Sequence, residues 1–200
     1  MNSAFSKYYD TVMRPLERKY FARIRADLIK EAKGYVLEVG AGTGINFAYY
    51  TSAEKVIALE PNAEMARKAS QKAIHAKIPI EVIPGNAESL PFEDNTFDSI
   101  VGTLVLCTIP NPEIALSEIR RVCKNNGIVL FFEHVRLSNR YLGKLQDFLT
   151  PAWRHLCDGC HLNRNSLQLI MQKGFKVIGE KRHFRNICVT VIATNKKFLE

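Results

Sequence analysis

The sequence predicts an α/β fold: a mostly parallel seven-stranded sheet with helices on both faces, closed by a C-terminal antiparallel hairpin. Three observations carry this reading. Short apolar runs alternate with segments of helical periodicity between residues 35 and 133. A glycine-rich turn joins the first of these runs to the helix after it. The last two runs, near 175–182 and 186–194, are separated by only a turn's length of chain, as in a hairpin. The composition agrees: 200 residues, 46% hydrophobic and 24% charged, with 11 Gly and 8 Pro, which excludes a disordered tail, a collagen-like rod and a minimal disulfide scaffold.

Taken in order, Phe5, Tyr9, Met13, Leu16, Tyr20, Ile24 and Leu28 recur at helical spacing, so residues 5–28 read as an amphipathic helix, kinked near Pro15 and ended by Gly34. Its aromatic stripe is expected to cover a ligand pocket, with Arg18, Lys19 and Arg25 facing outward. The first strand is 35–39, followed by the glycine turn and a short helix through Phe47; the second strand is 55–60. Pro61-Asn62 starts a helix to about Ala76, and 79–83 is the third strand. The fourth strand is 96–104, then a helix over 112–123, with Asn126-Gly127 as the turn into a fifth strand over 128–133. Residues 138–173 are helical in pattern, interrupted at Asp158-Gly159, before the closing hairpin.

The charge is uneven along the chain. The formal net charge of +8 divides into +4 over residues 1–33, −4 over 34–133 and +8 over 134–200. An acidic centre with basic flanks fits a catalytic core under a basic cap, and such a cap is suited to weak peripheral contact with an anionic membrane. No apolar run reaches the roughly eighteen residues of a transmembrane helix. The start, MNSAFSKYYDTVMR, has no signal-peptide pattern, and five cysteines without regular spacing fit free thiols in a reducing compartment. A cytoplasmic protein is expected.

The chemistry concentrates in Glu38-Val39-Gly40-Ala41-Gly42-Thr43-Gly44, with Glu60 at the end of the following strand. Glycines in a strand-to-helix turn let the backbone approach a ligand closely, and an acidic residue about twenty positions on can accept both hydroxyls of a ribose. A dinucleotide fingerprint would need a third glycine where Ile45 stands, and Glu38 sits badly with a pyrophosphate but well with a zwitterionic or cationic ligand.

The ordered series VLEVGAGTG, ALEPNAEM, GNAESLPF and NTFDSIVGTLVL resembles the motifs of class I S-adenosylmethionine (SAM)-dependent methyltransferases, most closely the ubiquinone/menaquinone-type branch, over residues 35–135. The resemblance implies a Rossmann-like fold and SAM as methyl donor, with S-adenosylhomocysteine as product. It implies that Gly40, Gly42 and Gly44, with Glu38, Ala41 and Asn46, line the methionine end. Glu60 and Pro61 take the ribose, Met65 packs on the adenine with Asn86, Ala87 and Glu88 at its edge, and Thr103 and Leu104 close the site. Many relatives have Asp where Asn86 stands here.

Farther along, TLVLCTI, FFEHV and PAWRHLCDGCHLNR resemble the membrane-associated thiol methyltransferases of animals, the methyltransferase-like seven group. Those enzymes carry a long apolar N-terminal anchor; here the amphipathic helix 5–28 occupies that place. Cys157-Asp158-Gly159-Cys160-His161 matches a haem-attachment string, but it lacks export and a second ligand pair, so no metal is expected; Asp158-Gly159 reads instead as a turn beside the acceptor. His134, after the fifth strand, is the candidate general base, Asp158 the second catalytic candidate, and Trp153 and His155 candidate pocket walls. One domain is expected over 1–200: a helical cap (1–33), a SAM-binding core (34–135) and an acceptor side (136–200). The reading is a methyltransferase acting on a small apolar acceptor, a thiol foremost, with a quinone precursor or a phospholipid as alternatives. Nucleic acid is disfavoured because neither an Asn/Asp-Pro-Pro-aromatic motif nor a Pro-Cys dipeptide occurs. A SAM-binding protein without catalysis is the remaining class.

Overall fold

A computed structural model describes residue 15 and residues 17–157 and 159–197. The predicted Phe5, Tyr9, Met13 and Leu16 positions and Asp158 lie outside the described residues. A π-helical turn, Glu17–Phe21, leads into α1 (Ala22–Ile29), β1 (Lys33–Val39), a 3-10 turn (Ile45–Tyr49), β2 (Ser52–Leu59), α2 (Ala63–Ala73), β3 (Ile80–Ile83) and β4 (Phe97–Thr103). Then come α3 (Pro112–Val122), β5 (Cys123–His134), α4 (Arg140–Leu156), α5 (Ser166–Gln172), β6 (Lys176–His183) and β7 (Cys188–Thr194).

The seven strands form one sheet in the order β3-β2-β1-β4-β5-β7-β6. The pairs β1–β2, β1–β4, β2–β3 and β4–β5 are parallel, whereas β7 runs antiparallel to both β5 and β6. Strand residues alternate between two apolar layers, as a sheet buried on both faces requires. Leu37, Val39, Ile100, Val129 and Phe131 pack with α3 and α5 through Leu116, Ile119 and Ile170. Val36, Val101, Leu130 and Phe132 pack on the other face with Leu28, Ile29 and Ala69 of α1 and α2.

Local chemistry explains the boundaries. The Asn62 side chain accepts from the amides of Glu64 and Met65 and so caps α2. Asn139 does the same for α4, which continues through Pro151.

Two expectations change. Asn126-Gly127 is not a turn between separate elements. It is a bulge inside β5, with Asn126 at φ 61°, a left-handed conformation that asparagine tolerates, and with Asn126 and Asn195 pairing backbone to backbone. The stripe on the N-terminal helix is rotated by about one residue from the predicted one. Tyr20 is exposed, whereas Arg25 turns inward with Leu28 and Ile29, so Arg25 is no outward basic residue. Lys19 is exposed as expected and lies over the Tyr20 ring.

Candidate active site

Because β1 to β5 run parallel, Gly40, Glu60, Asn86, Leu104 and His134 all follow or end strands at one edge of the sheet, the carboxyl edge where open α/β sheets take ligands. The turn after β1 is held by the amides of Gly40 and Ala41, which donate to the Leu59 carbonyl at 2.9 and 3.0 Å. Gly40, Gly42 and Gly44 all have positive φ, but space separates their roles. A Cβ on Gly40 would lie 2.2 Å from Val105 Cγ2, and one on Gly44 2.7 Å from the Phe47 ring, whereas one on Gly42 would meet nothing within 4 Å. Gly40 and Gly44 therefore serve the turn's own packing, and Gly42 is the glycine that fronts open space.

Glu60 stands beside that space, buried, its Oε2 accepting from the Gly42 amide at 2.8 Å and its Oε1 from the Asn62 amide at 2.9 Å. Behind the turn lies a polar network that the sequence pattern did not reveal. Glu38, also buried, accepts from Asn46 Nδ2 and from the Tyr50 hydroxyl, each at 2.8 Å. Arg25 donates to Asn46 Oδ1 at 2.8 Å and to Thr103 Oγ1 at 2.6 Å, and its Nε lies 2.7 Å from Glu17. Asn46 Nδ2 also reaches Thr103 Oγ1, at 2.9 Å. Burial pushes the Glu38 carboxyl up to about 7, against the opposing pull of Tyr50, Asn46 and Arg25. The signal for Arg25 was its position on the Phe21, Arg25, Leu28 stripe; Tyr50 and Glu17 offered none.

The other predicted cofactor residues take varied positions. Met65 and Ala87 are buried, Ala41 is buried in the turn, and Pro61 and Asn86 are exposed. Asn86 and Glu88 bond each other side chain to side chain at 3.0 Å, and Glu88 also accepts from the Asn111 amide, so Glu88 braces this loop. Leu104 adopts φ 54° and donates its amide to the Phe132 carbonyl.

Beyond Leu104 the chain builds a second cluster. Glu133, fully buried, accepts from the amides of Val105 and Leu106 through one carboxylate oxygen, both at 2.9 Å. The Arg164 guanidinium clamps the same turn through the carbonyls of Leu106 and Ile109. Next to Glu133, His134 places Nε2 2.9 Å from Cys160 Sγ, and Cys107, His134 and Cys160 have ligating atoms all within 4.8 Å of one another. Hydrogen bonds from Cys107 and His134, with Trp153 contributing, pull the Cys160 thiol well below its ordinary value, while the same bond and burial push Cys107 up. His134 is thus engaged with Cys160 rather than standing alone as a base. Cys157 and His161, read from sequence as part of one string with Cys160, are not members of this trio. Trp153, though partly exposed, reaches Cys160, whereas His155 is exposed.

A sheet of this order, with a glycine turn after β1 and a carboxylate closing β2, defines a Rossmann-like methyltransferase. The residues fit SAM: open space fronts Gly42, the buried Glu60 carboxylate borders it, and Glu38 puts a carboxylate beneath the turn. Residues 37–131 match the family model described as a methyltransferase domain. The rat thiol S-methyltransferase TMT1B is 31% identical over 175 residues, covering 83% of this chain and 70% of that protein. A phosphatidylethanolamine N-methyltransferase of Cereibacter sphaeroides is 35% identical over 103 residues, about half of each chain. Among solved structures, the complex between the Haloferax volcanii Trm112 methyltransferase activator and a putative methyltransferase contains a chain matching at a TM-score of 0.78 and 12% identity, covering 98% of this chain and 96% of that one. The chain is a SAM-dependent methyltransferase and belongs to the family that includes the TMT1 thiol S-methyltransferases.

Proposed function

We propose that this methyltransferase acts on the sulfur of a small apolar thiol. The observation that carries the reading is the Cys107–His134–Cys160 trio, set at the carboxyl edge of β4 and β5 and joined to the glycine turn through Val105, whose side chain packs on Gly40. The TMT1 relatives, named as thiol S-methyltransferases, support it.

Bound SAM supplies an electrophilic methyl on a sulfonium. Glu60, fixed by the Gly42 amide, would hold its ribose, Glu38 with Asn46 would face the methionine end, and Met65, Ala87 and Asn86 would take the adenine. Glu133 and Arg164 fix the 104–109 turn, so the acceptor meets a rigid wall. A thiol's pKa of about 8.5 makes a small fraction thiolate at neutral pH, so the site's task is to hold and desolvate the sulfur rather than to abstract a difficult proton.

One observation favours a second reading. Helix α4 leaves Tyr141 81% and Phe148 80% exposed, alongside Leu142, Leu145, Leu149 and Leu156, with Arg140, Lys144 and Arg154 on the same helix. An apolar face ringed by cations suits an anionic lipid surface, which would bring the site to lipid-dissolved acceptors, and phospholipid N-methylation is then the alternative. On this reading peripheral membrane contact uses α4 in addition to the basic cap. Labelled SAM offered with a small apolar thiol, and separately with phosphatidylethanolamine vesicles, tests the two acceptors. Methyl transfer to the lipid amine but to no thiol overturns the thiol reading.

A further inference from the structure

We infer that Cys107, His134 and Cys160 form a zinc site whose fourth position takes the sulfur of the acceptor; the substrate half of this inference rests on the thiol reading above. Among the described residues these three, brought from the β4 exit, the end of β5 and the α4–α5 connection, form the one group with ligating atoms in mutual reach. Two sulfurs and an imidazole are a donor set that zinc prefers, and three protein ligands leave the open position typical of catalytic zinc. With Zn–S near 2.3 Å and Zn–N near 2.0 Å, tetrahedral geometry puts sulfur and nitrogen about 3.5 Å apart. The observed 2.9 Å between His134 and Cys160 then needs to open by about 0.6 Å, a side-chain rotation.

The surroundings supply an independent reason. Glu133 Oε2 and His134 Nδ1 are both buried without a hydrogen-bond partner. Two thiols and a carboxylate thus share a dry corner in which Arg164 is the fixed cation, and Arg164 is already spent on two backbone carbonyls. Ionising both thiols in that corner is costly unless a cation joins them, and a divalent ion bound by the two sulfurs and the imidazole is such a cation.

The chemistry balances without an oxidant. The acceptor thiol binds as a thiolate, releasing its proton to solvent. Its sulfur lone pair forms the new S–CH3 bond as the methyl–sulfonium bond breaks, and that bonding pair stays on S-adenosylhomocysteine. The neutral thioether is a weaker ligand and leaves the metal.

The test uses the full-length chain, exchanged against zinc or cobalt(II) and freed of excess metal. Elemental analysis is expected to give about one zinc per chain, and the cobalt form the thiolate charge-transfer absorption and intense visible bands of a tetrahedral sulfur site. Cys107→Ser and Cys160→Ser each weaken zinc more than ~100-fold, beyond what changes around a metal's ligands usually cost. Cys157→Ser leaves stoichiometry unchanged, and calorimetric SAM binding shows that the variants remain folded. Adding a small apolar monothiol to the cobalt form raises the charge-transfer intensity. Absence of the cobalt signature in the unaltered chain, or equal metal loss in Cys157→Ser, overturns the site. A cobalt spectrum unmoved by the monothiol overturns its substrate role. Thiol turnover that survives complete chelation sinks the zinc inference and leaves the thiol reading intact, whereas a zinc protein inert toward every thiol does the reverse.

Discussion

The two ends of the active edge are built on opposite principles. At the β1–β2 end the charged groups face partners within the protein: Arg25 bonds Asn46 and Thr103, Glu38 accepts from Asn46 and Tyr50, Glu60 accepts from two backbone amides, and Glu17 forms an ion pair with Arg25 that leaves both Glu17 oxygens and Arg25 Nε without a hydrogen bond. At the β4–β5 end the backbone is pinned just as firmly, yet Glu133 Oε2 and His134 Nδ1 have no partner and α4 exposes its aromatic residues. On the function proposed above, the first end is the cofactor side, with its carboxylates held by side chains and amides, and the second is the acceptor side, with an exposed helix beside it. Such a division suits an enzyme whose donor is fixed and whose acceptor varies.

The largest expected effect comes from breaking the closed end. Arg25→Ala leaves Glu17 without its counter-charge and Asn46 Oδ1 without its donor, and should destabilise the protein by about 3–5 kcal/mol, read by urea denaturation. If stability is unchanged, the network is not what holds this end together.

Next come the glycines, which separate packing from binding. Gly40→Ala should cost about 2–4 kcal/mol of stability, because its Cβ meets Val105 at 2.2 Å in a left-handed backbone. Gly42→Ala should cost only about 1–2 kcal/mol, from backbone strain alone, yet lose SAM binding in calorimetry because its methyl enters the open space.

Glu60→Ala should weaken SAM by about 2–3 kcal/mol through loss of charged hydrogen bonds, and should also lower stability because the Gly42 and Asn62 amides lose their acceptor. Equal affinities would remove Glu60 from the site.

The smallest effect is a pH dependence. Glu38, raised to about 7, keeps in the folded state a proton that the unfolded chain gives up near 4.5. Its contribution therefore favours folding at low pH and fades as pH rises through about 7. Ionised Glu38 is the form that attracts a cationic ligand, so SAM affinity should rise by up to about tenfold from about pH 6 to about pH 8. Glu38→Gln should flatten that profile; a wild-type profile that is already flat would separate Glu38 from the cofactor's charge.

The sequence by itself determined the glycine turn and the carboxylate beside it. Gly40, Gly42, Gly44 and Glu60 are legible because a turn and the strand beside it are encoded within about twenty contiguous residues, where spacing fixes geometry. The seven strands and their closing hairpin were legible for the same reason, since alternation and turn residues are local signals. Within those limits it misjudged what local patterns do not encode: Arg25 was assigned to the surface because a one-residue rotation of a helix decides burial, and Asn126-Gly127 was read as a turn because a bulge uses the same residues. Only the tertiary structure brought Cys107, His134 and Cys160 together and split Cys160 from its sequence neighbours Cys157 and His161. Those contacts join segments 26 or more residues apart, and what brings them together is the order of strands in the sheet, which residue spacing along the chain does not specify.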